Sequence, residues 1–211
     1  MKKTILLALL LTGAMGMARA GVVLEEGFDN IEDLRTQDWV FSNQSVPPGP
    51  VAGWYQGFAQ ALPSQSGAPN SYAASNFNAA QIGGVLDNWL LTPEFSLATT
   101  VTVSFWLQSE FVPGYSDQVR FGFTNGGAAL EDFLLESTVT AASGDWTRYT
   151  LTIGSQGSGS RGRFAFQHFG EADASNYVGL DTLTITEVPE PSSAMILGLG
   201  VAGFAAARRR A

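Results

Sequence analysis

In the stretch Val101-Thr102-Val103-Ser104-Phe105-Trp106-Leu107, the aliphatic side chains and Phe105 occupy every second position. Side chains of a β-strand point alternately to the two faces of its sheet, so this pattern predicts a half-buried strand. The same alternation occurs at 119–123, 148–153 and 163–167, with turn residues between the segments. The domain is therefore predicted to be all-β, an antiparallel β-sandwich.

Two features interrupt this alternation. The segments Val46–Pro50 and Gly154–Ser160 are rich in Pro, Gly and Ser, which predicts loops. In the last predicted strand, 178–185, the apolar positions shift phase by one residue at Asp181-Thr182. A shift of one residue moves side chains to the other face of a sheet, so it predicts a β-bulge at that point.

The N-terminus is typical of an exported protein. Lys2 and Lys3 precede an apolar run at 5–11, and Ala18-Arg19-Ala20 provides small residues at a cleavage site. This arrangement predicts a secretory signal peptide over residues 1–20, which the mature protein would lack. The predicted domain then covers residues 21–187, a length suited to one core.

The composition of residues 21–187 excludes some functions. This segment has 18 acidic and five basic residues, a formal net charge of −13. Such a charge argues against binding to nucleic acid, because that affinity depends on Lys and Arg neutralising phosphates. The chain contains no cysteine, so the domain has neither disulfide bonds nor a cysteine nucleophile.

The C-terminal segment, 188–211, combines three features. Val188-Pro189-Glu190-Pro191 is held extended by its prolines, and an uncharged apolar run at 194–207 and the cluster Arg208–Arg210 follow. The run predicts a short transmembrane helix, about 21 Å long against a hydrocarbon core of about 30 Å, with the arginines on the cytoplasmic side.

These three features in this order resemble the PEP-CTERM sorting signal of bacterial surface proteins. The resemblance implies recognition by an exosortase-type membrane transpeptidase, which would cleave near Pro189, Glu190 and Pro191 and discard the tail. Insertion into the inner membrane would then be transient. The processed protein would reach the cell surface or the extracellular matrix, as in a biofilm.

Four motifs of the domain occur in the order found in choice-of-anchor J domains, which are related to cleaved-adhesin and MAM-like jelly rolls. They are Glu25–Asp29, Asp87–Pro93, Val103–Trp106 and Tyr177–Asp181. The resemblance implies a jelly-roll β-sandwich carrying an interchangeable anchoring signal at its C-terminus. A PEP-CTERM tail is one such signal, so the two resemblances agree.

A polysaccharide-binding face is one interpretation of the outward-pointing residues. Trp106 lies on the strand phase opposite to Val103 and Phe105, and a flat ring there can stack on a sugar. The residues Arg120, Arg148, Arg163 and Gln167 share the outward phase, and Trp106, Arg120 and Gln167 are the predicted ligand contacts. The alternative is a solvated outer face, and the sequence leaves open whether these strands share a sheet.

The tryptophans at 39, 89 and 146 are predicted to be packing residues and not ligand contacts.

A structural calcium ion is implied by the jelly-roll resemblance, in which calcium typically ties the first strand to the last. By position the ligands would be Glu26, Asp29 and Asp181, because hard oxygen ligands suit calcium. The alternative is that these carboxylates are held in a turn and a bulge by backbone N–H groups.

Catalytic motifs are lacking in this sequence. His168 is the only histidine, and no Gly-x-Ser-x-Gly, Walker or His-Glu-x-x-His motif occurs. We therefore expect a non-catalytic adhesive or structural protein with polysaccharide as its candidate ligand. The alternative is a secreted glycan-active enzyme that uses a carboxylate pair, such as Glu110 with Asp117 or Glu131 with Asp132.

Overall fold

Strands form nearly all the regular structure in residues 20–188, the part of the chain that this computed structural model describes. In chain order the strands are β1 (Val22–Glu26), β2 (Val40–Asn43), β3 (Val46–Pro48), β4 (Tyr55–Gln56), β5 (Ala73–Asn76), β6 (Ala80–Leu91), β7 (Phe95–Ser96), β8 (Val101–Ser109), β9 (Gln118–Phe123), β10 (Leu134–Thr140), β11 (Thr147–Ile153), β12 (Arg161–Gly162), β13 (Phe164–Glu171) and β14 (Tyr177–Glu187). The helices within this part are α1 (Ile31–Leu34) and three 3₁₀ helices, Phe77–Ala79, Leu130–Asp132 and Ala172–Ala174.

The strands pair antiparallel in two six-stranded sheets, as predicted. Sheet I has the order β11-β8-β14-β5-β4, and β1 pairs with the second half of β14. Sheet II has the order β10-β9-β13-β6-β2, and β3 pairs with β6. A small sheet of β12 and β7 lies apart from both.

The inward faces of the two sheets enclose a core rich in phenylalanine. The Phe105 ring of sheet I meets the rings of Phe121 and Phe166 of sheet II, each with centroids 4.8 Å apart in edge-to-face geometry. Aromatic pairs prefer that geometry and stabilise a core beyond their area of burial. The predicted alternation is therefore confirmed on both sheets.

The outer faces of the sheets are partly covered by loops. Over sheet I, Tyr72 and Trp146 pack edge-to-face against each other. A Cβ atom at Gly179 would lie 2.8 Å from Trp146 and 3.0 Å from Tyr72, so the residue below these rings has to be glycine. Over sheet II, Trp89 packs against Phe133. The tryptophans at 39, 89 and 146 therefore all pack, as predicted.

The structure confirms one irregularity and corrects one loop. The register of β14 with β8 shifts between Asp181 and Thr184, and Thr182 has φ of +49°, so the predicted bulge is present. Residues Val46–Pro48, predicted as loop, form the short strand β3. Proline is tolerated there because β3 lies at the edge of sheet II, where the missing N–H costs no ladder bond.

Residues 21–188 form one compact unit with its own core. Its two ends are tied together, since Glu187 N–H donates to the Gly21 carbonyl at 2.8 Å. We therefore expect this unit to fold on its own. The predicted signal peptide up to residue 19 and the predicted membrane helix at 194–207 lie outside the described residues. In the described part of the chain, no helix has the length and apolar character that a membrane span requires.

Candidate ligand-binding site

The three predicted ligand contacts do not share a surface. Trp106 lies in β8 of sheet I, half-buried, in register with Arg148 and Asp181. Arg120 and Gln167 lie opposite each other on β9 and β13 of sheet II. All three side chains lie on the outer faces of their strands, as predicted. The outer faces of the two sheets point in opposite directions, so Trp106, Arg120 and Gln167 do not form a single ligand face.

The outward residues of sheet II are also occupied within the fold. The Arg120 guanidinium lies 3.7 Å from the centroid of the Phe169 ring. Gln167 is only 7% exposed and donates to the Asp87 carboxylate at 2.8 Å. Arg163 is buried and forms an ion pair with Asp38 at 2.9 Å. These contacts make the side chains part of the outer packing.

The predicted metal ligands do not converge either. Asp181 is completely buried, and both its carboxylate oxygens accept hydrogen bonds: Oδ2 from the N–H groups of Gln65 and Ser66, and Oδ1 from the N–H of Thr182. Burial raises the pKa of Asp181, and these hydrogen bonds act against that rise. This arrangement matches the alternative in which backbone N–H groups hold the carboxylate in the bulge, and the assignment of Asp181 as a calcium ligand stays a prediction.

Glu26 and Asp29 do line one small cavity of about 160 Å³ beside Thr182. Burial raises the pKa of Glu26, and the charge of Asp29 adds to the rise. Asp29 accepts a hydrogen bond from the Ser71 hydroxyl at 2.7 Å. Within residues 20–188, no group of three or more acidic or histidine side chains is placed to hold a metal together. Calcium binding therefore stays a prediction.

The variant Asp181→Asn distinguishes a calcium ligand from a carboxylate that only accepts backbone hydrogen bonds in the bulge. An amide NH₂ would face a backbone donor on one side of the side chain, so we expect a loss of about 1–3 kcal/mol of unfolding free energy. That loss should be the same in EDTA and in excess calcium, as measured by chemical denaturation. Glu26→Gln is the control that removes a carboxylate from the cavity. If calcium raises the stability of the wild type, and only Asp181→Asn abolishes that rise, Asp181 is a calcium ligand.

A larger cavity, of about 560 Å³, lies where several loops meet at one end of the sandwich. We call it the aromatic groove and define it by Tyr55, Phe58, Phe77, Glu110, Asn176 and Tyr177. These residues come from β4, the segment after it, the first 3₁₀ helix, the end of β8 and the start of β14. An end of a sandwich is where loops from both sheets can combine to bind a ligand.

Hydrogen bonds connect the residues that line the aromatic groove. The Phe58 N–H is within 3.0 Å of the Tyr72 hydroxyl and 3.2 Å of the Tyr177 hydroxyl, and the Phe58 carbonyl accepts from Tyr72. Its ring nevertheless stays 56% exposed. On the opposite wall, the Asn176 amide donates to Glu110 Oε2 at 3.1 Å. The groove thus presents an exposed aromatic side chain on a hydrogen-bonded backbone together with a hydrogen-bonded polar pair, which reduces the loop ordering that binding would require.

The phenols of the aromatic groove remain neutral. Burial raises the pKa of Tyr55, and the neighbouring Tyr72 and Glu110 add to the rise. Burial likewise raises the pKa of Tyr177, whose hydroxyl is 3.0 Å from that of Tyr72. The Tyr55 side chain therefore keeps an O–H that can serve as a hydrogen-bond donor, whereas the Tyr177 O–H donates to Tyr72, whose own proton goes to the Phe58 carbonyl.

The exposed apolar surface continues beyond the groove. A second cavity of about 410 Å³ shares Phe77 and Asn176 with it and is also lined by Ile82, Val112 and Tyr115. Phe111, in the loop after β8, is 71% exposed. Exposed aromatic and aliphatic side chains are thus concentrated at this end of the sandwich, which we call the groove pole. Such a concentration is typical of a binding surface.

This pole is opposite to the C-terminus of the domain. Strand β14 begins at Tyr177 in the groove and ends at Glu187, and the N–H of Val188 donates to the Thr100 carbonyl at the far end. Ten residue steps at about 3.3 Å place the groove roughly 33 Å from Glu187. A domain held by its C-terminus would therefore present the aromatic groove away from the point of attachment.

A buried polar chain supports the floor of the groove. Asp117 accepts from the N–H groups of Asn176 and Tyr177 and from His168 Nε2, at 2.8, 3.3 and 3.0 Å. The other ring nitrogen, Nδ1, is hydrogen-bonded to the Ser75 hydroxyl at 2.9 Å. Ser75, His168 and Asp117 are exposed by 0%, 0% and 1%, so this Ser–His–Asp chain cannot contact a substrate.

The carboxylate pairs considered for catalysis are not arranged as in glycosidases. Asp117 is buried in the polar chain, so it cannot act with Glu110 on a bound sugar. Glu131 and Asp132 are exposed neighbours in the second 3₁₀ helix. Glycoside hydrolysis needs two carboxylates on either side of one bond, and neither pair meets this requirement.

Sequence reasoning missed the aromatic groove. Its residues are spread from 55 to 177, and no spacing connects them. The available signal was local, because Phe58, Phe77 and Phe111 are large aromatic residues in segments that do not alternate. Such residues outside predicted strands are candidates for exposed contacts.

Comparison with known proteins identifies the C-terminal segment. Residues 187–210 match the PEP-CTERM protein-sorting motif, which confirms the predicted signal. No curated protein matches the sequence.

Solved structures resemble the domain. The K1 cleaved adhesin domain of Lys-gingipain from Porphyromonas gingivalis W83 matches with a TM-score of 0.63 and 22% identity, covering 80% of this chain and 100% of that one. The K3 domain of the same protein matches with 0.58 and 23%, covering 80% and 99%. TmCBM61, solved with beta-1,4-galactotriose, matches with 0.50 and 13%, covering 77% and 94%. At such identities the likeness shows the fold alone.

Proposed function

We propose that this protein is an exported, non-catalytic polysaccharide-binding module that is displayed at the bacterial cell surface or in the extracellular matrix. Residues 1–20 direct export, and the apolar run at 194–207 holds the chain transiently in the inner membrane. An exosortase-type transpeptidase then recognises Pro189, Glu190 and Pro191 and removes the tail. The PEP-CTERM motif supports this route.

We further propose that residues 21–187 are a choice-of-anchor J domain, a jelly roll related to cleaved-adhesin domains. The four sequence motifs and the structural likeness to two such adhesin domains support this classification. It fits a protein whose anchoring signal is a separate C-terminal segment.

The aromatic groove is the proposed ligand site. The observation that carries this proposal is that the exposed side chain of Phe58, whose backbone is hydrogen-bonded to Tyr72, lines one cavity with the polar pair of Glu110 and Asn176. A sugar ring has apolar C–H faces that can cover an aromatic ring and hydroxyl groups that can bond to a carboxylate and an amide. The position opposite the C-terminus supports this role.

Binding by the isolated 21–188 domain tests the proposal. Full burial of a Phe side chain contributes about 1.5–3 kcal/mol, and a ligand can cover only the exposed 56% of Phe58. Phe58→Ala should therefore weaken polysaccharide binding roughly 4- to 15-fold. Because Phe58 is exposed, the melting temperature should hardly change. Affinity electrophoresis in gels containing single polysaccharides, with release of reducing sugar as a second readout, measures both binding and cleavage.

Trp106→Ala is the matched control, since it removes an aromatic ring from the outer face of sheet I. The proposal predicts that Trp106→Ala binds as the wild type does and that no reducing sugar is released. Loss of binding in Trp106→Ala with full binding in Phe58→Ala would move the ligand site to sheet I. Sustained release of reducing sugar would favour the glycan-active enzyme.

A further inference from the structure

Every charged side chain that lines the aromatic groove and the cavities beside it is acidic. Glu110 lines the groove, and Asp173 lines the second cavity. The arginines of residues 20–188 lie elsewhere: Arg35, Arg161 and Arg163 form ion pairs with Glu32, Glu94 and Asp38, Arg120 covers Phe169, and Arg148 donates to Ser104. An anionic polysaccharide would therefore meet only negative charge at this pole.

Glu110 also lies among aromatic rings. It shares the groove with Tyr55, Phe58, Phe77 and Tyr177, and its Oε2 accepts one hydrogen bond, from Asn176. The face of an aromatic ring attracts a cation, and a carboxylate attracts it more strongly over short distances. Rings and a carboxylate lining one cavity are a suitable environment for an ammonium group.

We propose that the aromatic groove selects polysaccharides whose amino sugars carry free ammonium groups, an inference that rests on the polysaccharide-binding function proposed above. The sugar ring covers Phe58 while the ammonium group on it pairs with Glu110. The formal charge of −13 on residues 21–187 raises the concentration of a polycation near the domain. A neutral polysaccharide gains only the ring contact, and a uronate polymer is repelled.

Hexasaccharides that differ in one substituent test this inference. The 21–188 domain is titrated calorimetrically with hexamers of glucosamine, N-acetylglucosamine and glucose, in β-1,4 and β-1,6 linkage, at mildly acidic pH where the amines are protonated. We expect a glucosamine hexamer to bind about tenfold more tightly than its N-acetylated and glucose counterparts. The preference should shrink as salt is added, because salt screens exposed charges.

Glu110→Gln is the decisive variant, because glutamine keeps an oxygen for the Asn176 amide and loses only the charge. It should abolish the preference for glucosamine, so that the glucosamine and N-acetylated hexamers bind to the variant with equal affinity. Asp132→Asn is the matched control, since it removes the same charge from an exposed site that does not line the groove. This control should keep the preference.

Several results would overturn the inference. Equal binding of charged and neutral hexamers that still depends on Phe58 would refute the ammonium preference and leave the polysaccharide-binding function standing. An equal loss of preference in Glu110→Gln and Asp132→Asn would assign the effect to net charge and not to the groove. Absence of binding to every hexamer would refute both.

Discussion

Asp117→Ala should lower the free energy of unfolding by about 3–5 kcal/mol, because three hydrogen-bond donors lose the same buried acceptor. The side chain is buried, and it accepts from His168 and from the N–H groups of Asn176 and Tyr177. Removal leaves three donors, two buried and one partly buried, without their acceptor, and each unpaired buried donor costs about 1–3 kcal/mol before relaxation.

Urea unfolding of the 21–188 domain measures this loss. Asp132→Ala is the matched control, since that carboxylate is exposed, and its effect should stay within about 0.5 kcal/mol. The melting temperature of Asp117→Ala should fall by roughly 10 °C, at about 2–4 °C for each kcal/mol in a domain of this size. A loss below about 1 kcal/mol would mean that the buried chain does not hold the two sheets and the groove floor together.

Replacing Pro189, Glu190 and Pro191 with three alanines should abolish removal of the tail while export continues. In the proposed route the enzyme reads the Pro-Glu-Pro element, since proline favours an extended backbone, whereas the apolar run at 194–207 would serve only as an anchor. The variant should accumulate in the inner-membrane fraction at full precursor size. Cell fractionation and immunoblotting of the producing bacterium measure the outcome.

The control for sorting is Ser192→Ala with Ser193→Ala, which alters neighbouring residues and keeps both prolines. This control should be processed as the wild type is. Normal tail removal in the triple-alanine variant would show that the Pro-Glu-Pro element is not what the processing enzyme reads.

The sandwich could be predicted because strand alternation is a local property of the chain. The alternation at 101–107 and at 119–123 follows directly from which residues pack between the sheets, and the phase shift at Asp181-Thr182 follows from the bulge. The pairing of strands depends on distant contacts, so the sequence did not reveal that Trp106 and Arg120 belong to different sheets. Proline in β3 was misread because an edge strand tolerates what a central strand does not.

The site could not be predicted for a related physical reason. Phe58, Phe77 and Asn176 are brought together only when the chain folds into two sheets. Their exposure depends on loops, and loop sequences lack the periodic pattern from which strands can be predicted. Asp181 was assigned to calcium only by its position in the jelly-roll resemblance, and the sequence does not distinguish a coordinating carboxylate from one held by backbone N–H groups. The sequence could not reveal the donors on Gln65 and Ser66, because they lie more than 110 residues away.

The most direct test of the central claim is to locate the bound sugar. The ¹⁵N-labelled 21–188 domain is titrated with the tightest-binding hexasaccharide while its backbone amide signals are followed by NMR. Our account predicts that the largest shifts occur at Phe58, Phe77, Glu110 and Asn176, and that the amides around Trp106 do not move. Shifts confined to the outer face of sheet I, or an unchanged groove under saturating ligand, would contradict it.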